Sequence, residues 1–255
     1  MTDSGTQTPR ERYRAQVRAE VKERAWEQIA TAGASALSLN AIAKQMGMSG
    51  PALYRYFASR DDLITELIRD AYRSLADTLR GAADSGADPA ALALAMRRWA
   101  LADPQRYLLI YGTPVPGYQA PADTTAISGE VMATLLDTLA AAGTAAPSAA
   151  EPPPAEPAGT EPSSAESVSA ESAPTGSAPM DSGAGPAKEF AAHLADHRQW
   201  AQGHPAPPAL LHRALSFWTR LHGVLSLEVA GQFAGMDFDP ALLYAAEIDD
   251  LLRGA

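Results

Sequence analysis

"SLNAIAKQMGMSGPALYRYFASRDDL", residues 38 to 63, is the stretch whose reading decides the fold. Ser38 can cap a short helix that turns Leu39, Ile42, Ala43 and Met46 inward. Gly47 follows and suits a left-handed turn. Ser49 can cap a second short helix, with Pro51 tolerated in a first turn that needs no N–H. Ala43 is small where the two helices must approach, and Leu53 plugs the space between them. Two short helices joined by a tight glycine turn form a helix-turn-helix unit. Upstream, Val17, Val21, Ala25, Ile29 and Ala32 mark one face of a helix that Gly33 ends. Downstream, Ser59 and Asp62 are spaced as a capping box for a helix running through Leu63, Leu67, Tyr72, Leu75 and Leu79 to Gly81. Ile29, Ile42, Leu53 and Phe57 would then centre a three-helix core.

The same stretch sets Tyr54, Arg55, Tyr56 and Phe57 in an unbroken row, which a helix of about 3.6 residues per turn cannot bury entirely. In a helix-turn-helix unit the second helix lies in the major groove of DNA. Ser49, Gly50, Pro51 and Ala52 are small enough to bring its backbone close, and its open N–H groups favour phosphate. Tyr54 is expected at phosphate. Tyr56 either reaches the opposite wall of the groove or packs inward, and Phe57 belongs to the core. Arg55 meets a base edge or a phosphate, and Arg60 a phosphate. Ser38, at the start of the first short helix, completes the expected contact set. No Asn, Gln or Lys lies between Ser49 and Ser59. Base readout must therefore rest on Arg55, on apolar contacts to thymine methyls and on a basic N-terminal arm.

Charge agrees with a head of this kind. The chain carries −10 overall, yet residues 1 to 60 hold nine Lys and Arg against five Asp and Glu. A basic head on an acidic body is expected if only the head meets a polyanion.

Beyond the head, helical spacing continues and strand alternation is nearly absent. Asp88-Pro89, Asp103-Pro104 and Asp239-Pro240 each read as an N-cap followed by proline at the first helical position. "TPVPGYQAP" is a loop, residues 123 to 142 a helix, and residues 208 to 233 a long helix apolar on most sides. Residues 145 to 186 differ in kind: glutamate recurs every fifth residue from Glu151 to Glu171 among Ala, Pro, Ser, Gly and Thr. With so little to bury, this is expected to be a disordered acidic insert. The chain has no cysteine, which excludes disulfides and thiolate zinc sites. The polar start lacks the apolar core of a signal peptide, and no run is long enough to span a membrane, so a cytoplasmic protein at the bacterial nucleoid is expected.

Taken whole, residues 38 to 63 resemble the DNA-binding domain of the TetR family of bacterial repressors. "RRWALADPQRYLLIYGTPVPGY" and "FWTRLHGVLSLEVAGQF" are similar to the C-terminal domain of the subgroup named for a Trp-His-Gly signature, here Trp218, His222 and Gly223. The resemblance implies an all-α homodimer on a palindromic operator, with a small-molecule pocket in the body and a fourth helix linking body to head. The expected parts are a flexible basic arm over 1–14, a helix-turn-helix domain over 15–60, and a regulatory and dimerisation body over 61–144 and 187–255. The insert, 145–186, is a departure from the family pattern.

In such a body Met96, Trp99, Tyr107, Tyr111, Tyr118, Trp218 and His222 are either core or the lining of an effector pocket. The apolar C-terminal segments point to a dimer interface through Leu221, Leu225, Glu228, Leu242 and Leu243, with Gly223 and Gly231 allowing two backbones to approach. His193 and His197 have metal-binding spacing but no third ligand. There is no phosphate loop or nucleophile elbow, so no enzyme, metal or cofactor is expected. The leading function is a repressor released from its operator by a small molecule. The rivals are a TetR-like DNA-binding protein that acts through a protein partner, and a helical enzyme.

Overall fold

The structure is a computed structural model that describes residues 8–145, 185–201 and 203–253. The expected acidic insert lies almost wholly outside the described residues. All regular structure among the described residues is helical: α1 (Pro9–Ala32), α2 (Leu39–Gln45), α3 (Gly50–Leu53), α4 (Arg60–Asp84), α5 (Pro89–Ala102), α6 (Pro104–Tyr111), α7 (Ala122–Ala145), α8 (Pro186–Asp196), α9 (Pro208–Val229) and α10 (Pro240–Arg253). None of these helices is long and apolar enough to cross a membrane.

Most boundaries follow from caps. Thr8 accepts from the N–H of Glu11, whose carboxylate takes the Thr8 N–H in return, and Pro9 fills the first position. This capping box starts α1 inside the expected flexible arm, so residues 9 to 14 are helix. Ser38 accepts from the Ala41 N–H, Asp88 from Ala91 and Asp103 from Arg106. Ser59 accepts from the Asp62 N–H, but the Asp62 carboxylate reaches the Ala58 N–H rather than that of Ser59. The sequence expectation that α9 runs to residue 233 is overturned. Gly231 adopts φ 71°, and the Gln232 N–H closes back onto the Leu227 carbonyl, so the helix ends at Val229. Gly231 therefore caps a helix and leaves no close-packing site inside one. Gly223 is helical, but an added Cβ there would meet nothing within 4 Å.

Two apolar cores result. In the head core, Val17, Val21, Ala25 and Ile29 of α1 meet Leu39, Ile42 and Ala43 of α2, Leu53 of α3, and Phe57. The body core joins α5, α7, α9 and α10 through Leu92, Met96, Leu136, Phe217, Leu221 and Tyr244, among others. Helix α4 belongs to both: Leu63, Ile64, Leu67 and Ile68 lie in the head core, Leu75, Ala76 and Leu79 in the body core. At 25 residues it spans about 37 Å as one continuous helix. Ion pairs tie α1 to it, with Arg18 at 3.2 Å from Glu66, and Lys22 on Asp70. Burial alone would raise the Glu66 carboxyl, but the hydrogen bond from Arg69 and the charge of Arg18 hold it below its ordinary range.

Candidate nucleic-acid interface and body site

Helix α2 ends at the turn that Gly47 makes at φ 66°, and the Met48 N–H bonds the Ala43 carbonyl across it. Helix α3 is a single turn. Ser49 has the extended backbone of an N-cap, yet its side chain makes no capping bond. The reason is local: Pro51 offers no N–H, and the Ala52 N–H bonds the Ser49 carbonyl instead. The Ser49 hydroxyl is thus left facing out, beside exposed Pro51 and half-buried Gly50 and Ala52.

The aromatic row divides cleanly. Leu53 and Phe57 are fully buried, the Arg18 guanidinium sits 4.2 Å above the Phe57 ring, and Arg18 also donates to the Tyr56 carbonyl. Tyr54 is 45% exposed and Arg55 is exposed, while Tyr56 is half-buried. Tyr54 and Arg55 therefore stand out on the surface that starts at Ser49. Arg55 has no side-chain partner among the described residues, and neither do Arg10, Arg12 and Lys44.

Arg60 is placed differently from expectation. Its guanidinium donates to the carbonyls of Ala34 and Ser35 at 3.1 and 3.3 Å and lies beside Asp61. It clamps the turn after α1 onto the start of α4 rather than standing free for phosphate. Sequence reasoning missed Asn40 and Lys44. Both are exposed on α2, and the Asn40 Oδ1 lies 3.5 Å from where a Cβ on Gly50 would be. The signal was present, since neither residue belongs to the buried face of α2.

In the body, the structure gathers six of the seven expected pocket residues in or against one apolar core and sets Tyr118 apart. The Tyr107 hydroxyl contacts the His222 Nδ1 at 2.9 Å and the Ser226 Oγ at 2.7 Å. Tyr111 packs against Tyr107, His222 and Trp218 with ring centres 5.3, 4.4 and 5.8 Å apart, and Tyr72 of α4 meets it edge-on at 5.9 Å. Met96 and Trp218 share a void of only about 10 Å³ with five apolar neighbours. Trp99 is tied to α4 by a 3.1 Å bond from its indole N–H to Ser74, and Tyr118 packs against the head core. Burial drives the His222 imidazole down to about 4, and raises the Tyr111 hydroxyl far above its ordinary range. The cluster is neutral and close-packed.

Two expected interface residues are corrected. Leu221 and Leu225 are fully buried in the subunit's own core, so no second chain can reach them. Glu228 accepts from Arg97 of α5 within the same chain, at 2.9 Å from Nε. Leu242 is 71% exposed and Leu243 half-buried. Leu227 of α9 is exposed as well.

Comparison with known proteins accounts for both parts. Residues 23–67 match the family model described as bacterial regulatory proteins, tetR family, and residues 90–251 match a tetracyclin repressor-like C-terminal domain. The chain is 35% identical over 242 residues to the HTH-type transcriptional regulator Mb1846 of Mycobacterium bovis, covering 92% of this chain and 90% of that protein. The HTH-type transcriptional regulator Rv1816 of Mycobacterium tuberculosis matches equally. The crystal structure of SCO4313 is 60% identical with a TM-score of 0.75, covering 96% of this chain and 100% of that one. An exposed recognition turn on a buried three-helix core, matched by family models on both sides of α4, identifies the chain as a DNA-binding transcriptional regulator of the TetR family.

Proposed function

We propose that the protein is a homodimeric repressor that leaves a palindromic operator when a small molecule binds the body. The observation that carries this reading is α4, whose one rod is packed in both cores. On this reading a change in body packing that shifts the upper half of α4 is carried along the helix to the surface that holds Tyr54 and Arg55. A ligand that prefers one setting of α4 then changes DNA affinity by its differential affinity for the two settings. On this reading residues 15–60 form the head, and 61–144 with 187–255 the regulatory and dimerisation body. The exposed leucines of α9 and α10, Leu227 and Leu242, support pairing of two chains there, and a two-fold axis would match an inverted repeat.

Footprinting on the DNA upstream of the protein's own gene tests the proposal. The expected result is protection of one short inverted repeat, with affinity falling steeply as salt rises. Tyr54→Phe combined with Arg55→Ala should lower affinity about tenfold and reduce the salt slope by about one for each phosphate no longer neutralised. Unchanged affinity and slope in that double variant would place the DNA surface elsewhere on the head.

A further inference from the structure

Helix α1 begins at Pro9, whereas the match to the tetR family model begins at residue 23. The buried face of α1 starts only at Val17, and every residue from Pro9 to Gln16 is exposed. Two turns of helix thus project past the head core. The capping box of Thr8 and Glu11 holds them, not packing, and a helix end of this length is marginal without such support.

The side chains on these turns work against the helix. Arg10, Arg12 and Arg14 stand at its start, where the positive end of the helix dipole repels cations. Arg10, Arg14 and Arg18 follow one another at i, i+4, and like charges at that spacing destabilise a helix. Glu11, the acid of the first turn, has its carboxylate bonded to Thr8. Partners along the row run out one turn at a time. Arg18 holds Glu66, the Tyr56 carbonyl and the Phe57 ring. Arg14 reaches the Arg55 carbonyl at 3.5 Å, and Arg10 has no partner among the described residues. Arg10, Tyr13 and Arg14 share an arc of about 100° that continues the stripe of Val17 and Val21, while Arg12 lies about 160° around from Arg10. The Arg14 contact sets this face beside Arg55, on the surface that starts at Ser49.

We infer that the first two turns of α1 are a second DNA-binding element, a helical arm that lays Arg10, Tyr13 and Arg14 on phosphates next to those met by α3. This rests on the DNA surface through Tyr54 and Arg55 proposed above and extends it beyond the helix-turn-helix unit. A polyanion is the occupant that the charges call for, because phosphates relieve both the repulsion along the row and the conflict with the dipole. The two turns span about 12 Å, the rise of three to four base pairs. Tyr13, 63% exposed, offers a hydroxyl on the same face. Contacts of this kind carry no sequence information, so the arm adds affinity and salt dependence and reads no base. It differs in this from the flexible, base-reading arm that the sequence suggests.

The test titrates the full chain with a labelled random-sequence duplex at several salt concentrations, since phosphate contacts need no operator. Arg10→Gln combined with Arg14→Gln should weaken binding about tenfold and lower the salt slope by about two for each bound chain. Arg10→Gln alone should give about half of that slope change. Arg12→Gln removes the same charge from the opposite face, and should shift affinity less than about twofold and leave the slope at the wild-type value. Melting temperatures should stay at or above that of the wild type, because each substitution eases the conflict with the dipole. A wild-type slope in the Arg10, Arg14 double variant would take the arm off the DNA and overturn the inference. Equal weakening by Arg10→Gln and Arg12→Gln would overturn it as well, reducing the arm to the general field of the head. So would a loss of binding matched by a fall in melting temperature, which would make these arginines supports of the fold. The variant Tyr54→Phe with Arg55→Ala on the same duplex separates the two readings. A lowered slope there, with a wild-type slope in the Arg10, Arg14 variant, removes the arm alone. The reverse pattern removes the α3 surface and leaves the arm.

Discussion

The head and the body are both built of helices around apolar cores, but they treat polar groups in opposite ways. In the head, polar partners sit at the rim: Arg18 on Glu66, Lys22 on Asp70, and Arg60 on two carbonyls. They join α1 and the turn after it to α4, and the buried Thr65 hydroxyl is paired with the Asp61 carbonyl and Tyr118. The body draws polar groups inward. Tyr107, His222 and Ser226 form a buried network, the Tyr244 hydroxyl donates to the Ala93 carbonyl, and Thr124 Oγ1 and His222 Nε2 are buried without partners. A surface that must match DNA geometry gains from a stiff support. Polar groups held without partners are a liability in a purely structural core and an asset where another molecule is to be bound.

The sharpest way to break this comparison is to place the same charge on two leucines of the body. Leu225 is 0% exposed, so Leu225→Glu buries a carboxylate with no partner and should cost more than about 4 kcal/mol, enough to unfold the chain. Leu242→Glu falls on a solvent-facing position of α10 and should leave the melting temperature nearly unchanged while shifting the chain toward monomers. Circular dichroism reads the first effect and sedimentation the second. An intact Leu242→Glu dimer at micromolar concentration would mean that the two chains meet on another face.

How much of this was legible beforehand differs between the same two regions. In the head, caps and periodicity name much of the structure: Ser38, Gly47, Ser59, Leu53 and Phe57 lie where local rules put them, while Ser49 makes no capping bond. Arg60 was not legible, because its carbonyl partners come from a turn about 25 residues upstream in the chain. In the body, the Asp-Pro starts of α5, α6 and α10 could be read, since capping is local. Which face of α9 meets its own chain could not. That helix is apolar on several sides, and only tertiary packing decides that Leu221 and Leu225 turn inward while Leu227 turns out. Among the body aromatics, spacing cannot separate Tyr118, which packs on the head, from Tyr107, which packs on α9.

A smaller effect is expected from the body's buried imidazole. His222 titrates near 4 when folded, against about 6.5 when unfolded, because burial opposes its charge. Between those values the unfolded chain binds the proton and the folded chain does not. The stability this group contributes is therefore complete above about pH 6.5 and is lost as pH falls toward 4, by up to about 3 kcal/mol. His222→Gln, which cannot titrate, should flatten the fall in melting temperature over that window even if it lowers stability at neutral pH. An unaltered pH profile in the variant would assign the acid sensitivity to other groups. Glu66, held below its ordinary carboxylate range, adds a separate loss at lower pH.

The smallest expected effect belongs to Arg60 and distinguishes a structural clamp from a residue that binds DNA. Its two bonds to the carbonyls of Ala34 and Ser35 join the end of α1 to the start of α4, and its side chain is partly exposed. Removing a partly solvated clamp of this kind should cost about 1 kcal/mol, since water replaces the missing donor at both carbonyls. Arg60→Ala should therefore lower the melting temperature by a few degrees for a domain of this size, about 2–4 °C. Its effect on operator affinity should be weaker than that of Arg55→Ala, and the salt slope should stay at the wild-type value because the same phosphates remain neutralised. Both bonds leave the same Nη2, so Arg60→Lys, whose ammonium carries three donors, should recover part of the stability. A reduced salt slope with unchanged melting would show the opposite: that Arg60 leaves the turn in the complex and binds phosphate, so that the support of the head is remade on DNA.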